Sequence, residues 1–444
     1  MNATTQAPEI SLVPLKQALV DSDSLQLQVL ARIRAAEDTA LPRTPLSIAL
    51  VIDRSGSMHG PRLEAAKEGA RRFISQLHDD DEVCIVAYDD SVSVPLALMP
   101  VRAARPLLST TLSRIDDGGT TDLHSGWLEG AKQLAPRTGQ NRLCRVLLLS
   151  DGQANRGIVN IDVICEQVSQ MASAGVSTST VGIGMGFNER LMTAMALAGQ
   201  GTAMYGDRAE DLIEPFEAEI GLLGALAWRD VTLKLKSSSR RWKLHNDYPL
   251  LEPGLWRLPA IAAGTEAWVA LSLTMDRAVR AQLESPNGSA LTISLRAVDA
   301  DGNAHRFLAT LPVLPKVSEA EYDALPADEL VRRRFGEVEA ADLQREARKA
   351  ASERNWSKVA RMLDELQDRA RDNPWLLQTV SVLRDLLEQR DQVRLEKELM
   401  YSSHSLKNRL TESDETVFFS MSMESEKPAF LRRKTQQGRR SDSQ

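Results

Sequence analysis

The stretch TPLSIALVID, residues 44–53, is apolar at odd and even positions alike. Drawn as a strand it would be greasy on both faces, and such a strand needs a cover on each side. Chains supply that cover by laying helices over both faces of a parallel sheet. RVLLLSDG, residues 145–152, repeats the pattern nearly a hundred positions later. Between and after these two runs, apolar residues alternate between helical and extended spacing. PRLEAAKEGARRFISQL, LHSGWLEGAKQLA, IDVICEQVSQMASAG and AEDLIEPFEAEIGLLGAL read as helices; DEVCIVAYDD and VSTSTVGIG read as strands. VSVPLALM is predicted as an edge strand, since Pro95 cannot donate to a ladder. Residues 45–226 are therefore expected to form an α/β unit with a doubly wound, mostly parallel, Rossmann-like sheet.

From Asp230 the period changes to two. VTLKLK, AWVALSLTM, LTISLRAVDADG and HRFLATLPV alternate without an intervening helix, which predicts an antiparallel, sandwich-like β domain over residues 227–316. LQLQVLARI near the start has the same alternation, with Leu25, Leu27, Val29, Ala31 and Ile33 on one face. The segment 1–44 is thus expected to lend a strand to that domain, making the α/β unit an insertion within it. Residues 317–400 turn helical. Val359, Met362, Leu363, Leu366 and Ala370 form one stripe, Asn373-Pro374 interrupts, and WLLQTVSVLRDLLEQ forms a second, so a helical hairpin is predicted. The Ser-rich, then basic segment 401–444 has few regularly spaced apolar residues and is expected to be disordered.

A length of 444 residues allows several domains, and an apolar fraction of 43% allows them real cores. The net charge of -7 argues against nucleic acid as a partner, because phosphate binding favours a basic surface. The first 20 residues lack a cationic start and an apolar core, so no secretory signal is expected. No apolar run is long enough for a membrane span. Cys84, Cys144 and Cys165 are odd in number and widely spaced, which suits reduced thiols and a cytoplasmic location.

The chemistry concentrates in three loops. Asp53, Ser55 and Ser57 follow the first doubly apolar run, Asp151 follows the second, and the glycine-rich GGTTDL carries Thr120, Thr121 and Asp122. Ligands of open α/β sheets bind beyond the carboxyl ends of the strands, where strand order reverses. Every candidate ligand in these loops is an oxygen. Hard oxygen ligands favour Mg²⁺, with Mn²⁺ or Ca²⁺ as substitutes, over metals that prefer sulfur or nitrogen. Neutral hydroxyls leave such an ion electropositive, with room for an anionic oxygen from another molecule.

DRSGS at 53–57, a threonine of GGTTD and the aspartate of LLLSDG together resemble the metal-ion-dependent adhesion site (MIDAS) of von Willebrand factor type A domains. VGIGMGFNERLMTAMALAGQGTAMY is similar to the closing part of the bacterial members of that family. The resemblance implies Ser55, Ser57 and Thr121 as direct metal ligands, with Asp53 and Asp151 acting through water or by holding the hydroxyls. It also implies that ligand entry is coupled to the helix at about 209–225. Asp122 is read as a helix N-cap, His59 and His124 as rim residues, and Asp89 and Asp90 as a solvated strand end. Trp228, Trp242, Trp256 and Trp268 are assigned to sandwich packing, and Met58 to the core.

An enzyme is not expected. Aspartyl phosphotransferases of the haloacid dehalogenase type also place Mg²⁺ after a first strand, but need a second carboxylate where this chain has Ser55. No G-x-x-x-x-G-K-[ST], G-x-S-x-G or H-E-x-x-H motif occurs. The expected function is a Mg²⁺-dependent protein-binding scaffold whose partner offers an Asp or Glu side chain. The alternative is a non-catalytic subunit of a larger assembly, such as the partner of an AAA+ ATPase or a chelatase. RRKT and RRSDS make Thr435 and Ser441 candidate phosphorylation sites, which would link the protein to a Ser/Thr kinase or phosphatase.

Overall fold

The computed structural model describes residues 6–20, 26–37, 43–184, 187–206, 208–237, 239, 241–274, 291–371, 373–408 and 411–412. Leu25, Thr435 and Ser441 lie outside these described residues.

Strand Leu46–Asp53 is buried at all eight positions. It lies at the centre of a six-stranded sheet and pairs in parallel with Glu82–Tyr88 on one side and Leu143–Ser150 on the other. Val176–Ile183 and Gln200–Gly206 continue the parallel order outward, while Val92–Pro100 closes the opposite edge antiparallel, as Pro95 requires. Alternate residues of the central strand serve different cores. Ile48, Leu50 and Ile52 meet Leu63 and Phe73 of helix Pro61–Gln76 and Phe216 of helix Ile213–Gly224. Ala49 and Val51 meet Trp127 of helix Leu123–Leu134, and the same core takes in helices Ile161–Ser173 and Glu189–Ala198. The chain leaves the central strand to one side first and later crosses to the other, so strand order reverses between the carboxyl ends of Leu46–Asp53 and Leu143–Ser150.

The β domain is built around this unit. Strand Gln26–Arg34 precedes the α/β unit in sequence yet pairs residue for residue with Thr265–Thr274, which follows it. The preceding strand Glu9–Pro14, not marked in the sequence, adds to its other edge. The facing sheet is centred on Leu226–Ser237 and Leu291–Val298. Between the sheets, Val29, Ala31, Val269 and Leu271 pack against Trp228, Leu233, Ile293 and Leu295. Trp256 belongs to this core and Trp242 packs on it edge to face, with ring centroids 5.4 Å apart. Trp268 does not belong there: it points out of the sandwich, beside Leu30 and Ala270, under Val331 and Phe335 of helix Glu329–Ser352. That helix roofs the outer face, so the assignment of Trp268 to sandwich packing is corrected: it packs beneath the helix instead.

The hairpin expected near residues 357–389 is present as helices Trp356–Arg369 and Pro374–Glu388, capped by Asn355 and Asn373. It is half of the region. Helices Glu329–Ser352 and Gln392–Asn408 pack with it through Ala347, Leu395 and Leu399. The last helix runs eight residues past position 400, where the sequence placed the start of a disordered tail. Leu406 is buried in the helical core, and Tyr401 packs tilted against Tyr205 with centroids 5.2 Å apart. Serines between these residues had diluted the stripe. Thr411–Glu412 then pairs with the end of Thr265–Thr274. Among the described residues no helix is long and apolar enough to cross a membrane.

Candidate metal centre

Asp53 is the last residue of the central strand and is fully buried. Its Oδ1 accepts from the Ser55 amide at 2.9 Å, which turns the chain sharply, and its Oδ2 accepts from the Ser150 hydroxyl at 2.5 Å. The turn brings the Ser55 and Ser57 hydroxyls to 3.2 Å of each other. Gly60, at φ +73°, then redirects the chain into Pro61, whose fixed φ suits the first helical position.

The threonine loop is stitched across this turn. The Gly56 amide donates to the Gly119 carbonyl at 3.0 Å, and the Gly118 amide donates to the Arg54 carbonyl at 2.7 Å. On its far side the Thr121 amide donates to Asn155 Oδ1 at 2.8 Å, while the Asn155 amide donates to the Thr121 carbonyl at 3.1 Å. The three loops thus form one hydrogen-bonded unit at the point where strand order reverses. Thr121 is buried within it, and Ser57 is half-buried at its mouth.

Asp151 occupies the corresponding position after the neighbouring strand and is also fully buried. Its Oδ1 accepts from the Gln153 amide at 3.2 Å. Its Oδ2 has no hydrogen-bond partner; the nearest cation is the Arg62 guanidinium, 3.7 Å away, which donates to the Ser57 carbonyl at 2.9 Å. A buried carboxylate oxygen in that position is costly unless a cation or donor completes it. Burial pushes the Asp53 carboxyl up to about 6; hydrogen bonds from Ser150 and Ser55 pull it down, and the charge of Asp151 pushes it up again. Asp53 therefore senses its neighbour's charge, and the cation beside the pair is Arg62, too far from Asp151 Oδ2 to hydrogen-bond it. Two carboxylates, with hydroxyls from Ser55, Ser57 and Thr121 in the adjoining loops, make an all-oxygen donor set that fits a hard divalent cation and offers a soft metal nothing.

Several neighbours differ from expectation. Asp89 is not solvated: it is 4% exposed and its carboxylate accepts from Ser91, from the Gly119 amide at 3.2 Å and from Arg54 at 3.1 Å. It braces the threonine loop from beneath. A Cβ on Gly118 would lie 2.0 Å from Asp89 Oδ2, so the glycine is a matter of space. Asp90 is exposed, as expected. His124 is buried, 2.7 Å from Gln167 Oε1 and packed beside Trp127, so it is no rim residue. His59 is exposed, 3.1 Å from Asp117. Asp122 caps its helix by accepting from the Ser125 amide at 3.0 Å, and Met58 is core. Ser150, Asn155 and Arg62 were not singled out from sequence, and Asp89 was read there only as solvated. Only Ser150, adjacent to Asp151 in LLLSDG, had a local signal.

Residues 47–218 match the family model of the von Willebrand factor type A domain. Among curated proteins, the chain is 27% identical over 192 residues to an uncharacterized protein of Synechocystis, covering 43% of this chain and 44% of that one. It is 29% identical over 194 residues to inter-alpha-trypsin inhibitor heavy chain H3 of Homo sapiens, covering 40% and 21%, and 27% identical over 217 residues to the uncharacterized protein YfbK of Escherichia coli, covering 48% and 36%. The matches thus span less than half of each of these relatives. Among solved structures, a von Willebrand factor type A protein from Catenulispora acidiphila superposes with a TM-score of 0.63 at 17% identity, covering 90% of this chain and 91% of the other. The ArnB paralog VWA2 from Sulfolobus acidocaldarius gives 0.59 at 17% identity, covering 89% and 98%. At such identities the likeness is one of fold, and it extends through the β domain and helices as well. The α/β unit of this chain is a von Willebrand factor type A domain, of a kind also found in bacterial proteins.

Proposed function

We propose that the domain is a metal-dependent protein-binding module in which Ser55, Ser57 and Thr121 hold Mg²⁺ directly, and Asp53 and Asp151 hold it through water or orient the hydroxyls. Mn²⁺ or Ca²⁺ would substitute. The observation that carries this reading is Asp151 Oδ2, a fully buried carboxylate oxygen with no hydrogen-bond partner beside an all-oxygen donor set. A bound divalent ion would supply an electropositive coordination position that an Asp or Glu of a partner protein completes. This chain's residues supply the rest: Ser150 and the Ser55 amide fix the Asp53 carboxylate, Asn155 fixes the threonine loop, and Arg62 adds a positive margin that favours an acidic visitor. The reading is of a non-enzymatic scaffold. A cytoplasmic location is part of the proposal, resting on three widely spaced cysteines, none of them in a disulfide.

The test is a pull-down from native lysate with the wild-type chain and Asp53→Ala, each with Mg²⁺ and with chelator. Partners that require both Mg²⁺ and Asp53 support metal-bridged recognition. Partners indifferent to both overturn it. An ATP-hydrolysing partner among the metal-dependent ones would favour a subunit role, and a kinase a role in signalling.

A further inference from the structure

The sequence REARKAAS, residues 345–352, sets Arg345, Arg348, Lys349 and Ser352 at i, i+3, i+4 and i+7, one face of helix Glu329–Ser352. That face borders a recess, with Arg348 half-buried and its neighbours reaching solvent. It forms one wall of a cleft of about 480 Å³, whose other walls include Thr193 of helix Glu189–Ala198, Asp247 of the β domain and His404 of helix Gln392–Asn408. All three parts of the chain therefore meet at it.

The charges of the cleft are unevenly committed. Asp247 is engaged by Arg345 and by Lys407 at 3.6 Å, and Glu396 accepts from Gln392 at 2.8 Å. Arg348 and Lys349 have no carboxylate within ion-pair distance among the described residues. A cation in the last turn of a helix offsets its dipole, which accounts for Lys349 alone. It does not account for a neighbouring half-buried Arg348 aimed into the same recess. A guanidinium fork beside an ammonium matches a phosphoryl group, with several oxygens and more than one negative charge, better than a single carboxylate. The volume falls in the range of small-molecule sites and is too large for a bare ion.

We propose that this cleft is a second binding site, separate from the metal centre, that takes a phosphate-bearing ligand through Arg348 and Lys349. The ligand would add a bridge between the α/β unit, the β domain and the helical region beside the Arg345 and Lys407 contacts to Asp247.

The experiment is calorimetric titration of inorganic pyrophosphate into the full chain, in chelator and without divalent cation, so that the metal centre cannot contribute. The wild-type chain should bind with saturable single-site affinity, and added Mg²⁺ should not be required for it. Arg348→Ala combined with Lys349→Ala should weaken it at least about ten-fold, since both positions reach solvent and the fold does not depend on them. Absence of saturable binding, or an affinity unchanged in the double variant, overturns the proposal. A phosphoserine peptide that displaces pyrophosphate marks a modified protein as the natural source. Failure to displace it marks a free phosphate compound; either result keeps the site.

Discussion

At the amino-terminal ends of the parallel strands, Asp81 is held by both Arg43 amino groups at 2.7 Å and by the Leu46 and His78 amides, and Glu82 is held by Arg137 at 2.8 and 2.9 Å. At the carboxyl ends, Asp53 and Asp151 accept from hydroxyls and amides, and the cation beside them, Arg62, stands 3.7 Å from Asp151 Oδ2 without a hydrogen bond to it. Burial raises the proton affinity of acids at both ends. At the first end arginine bonds outweigh it, so Asp81 and Glu82 lie below the usual carboxylate range; at the second, burial wins and Asp53 rises to about 6. One sheet thus keeps its structural acids paired and leaves its other acids in want of a positive charge. Asp89 shows that position alone does not decide this: it lies at the carboxyl end, yet bonds from the Ser91 amide and hydroxyl and the Gly119 amide, with a smaller share from the Arg54 charge, lower it despite burial.

Removing one acid from each end of the sheet separates their roles. Asp151→Ala should weaken Mg²⁺ binding by at least about a hundredfold, near 3 kcal/mol, while Asp81→Ala should destabilise the fold and leave Mg²⁺ affinity unchanged. Calorimetric titration of both variants reads the difference directly. Equal losses would mean that the two ends are not functionally distinct.

Arg43→Ala should cost about 2 kcal/mol in denaturant unfolding, because charge-assisted bonds to a buried carboxylate are lost while two amides still hold it. The effect should depend on pH with a definite sign. Asp81 is depressed in the folded state, so its contribution is complete above its unfolded value near about 3.9 and is lost as pH falls through the lower folded value. The gap between wild type and Arg43→Ala should therefore close below about pH 4. A gap that widens on acidification would contradict the assignment.

Asp89→Ala should act at both levels. It removes the acceptor of the Gly119 amide, so unfolding stability should fall by about 1–2 kcal/mol and Mg²⁺ affinity several-fold, through a loosened threonine loop. Asn155→Ala, which frees the Thr121 amide without touching either acid, should cost about ten-fold in Mg²⁺ affinity and little stability. An Asn155 effect on stability as large as that of Arg43 would blur the boundary drawn between the two ends.

The parts of this molecule legible in sequence are those where each position answers to one neighbour. LSIALVID must be covered on both faces, and it is; the period-two segments from Asp230 onward must form an antiparallel domain, and they do. What was not legible depends on neighbours remote in sequence. Trp268 reads as sandwich core until helix Glu329–Ser352 is seen over it, and Tyr401 reads as the start of a tail until Tyr205 and Phe187 receive it. The same division holds at the metal centre. Asp53, Ser55, Ser57, Thr121 and Asp151 belong to short local patterns, whereas Asp89 and Asn155 owe their positions to a loop some 30 residues distant, at separations of 30 and 34.

The most direct measurement is a crystal structure of the full chain grown with Mn²⁺, read by anomalous scattering. The account predicts one strong peak in direct contact with the Ser55, Ser57 and Thr121 hydroxyl oxygens, with Asp53 and Asp151 within water-bridging reach. A peak held by other residues, or none at this end of the sheet, would contradict it.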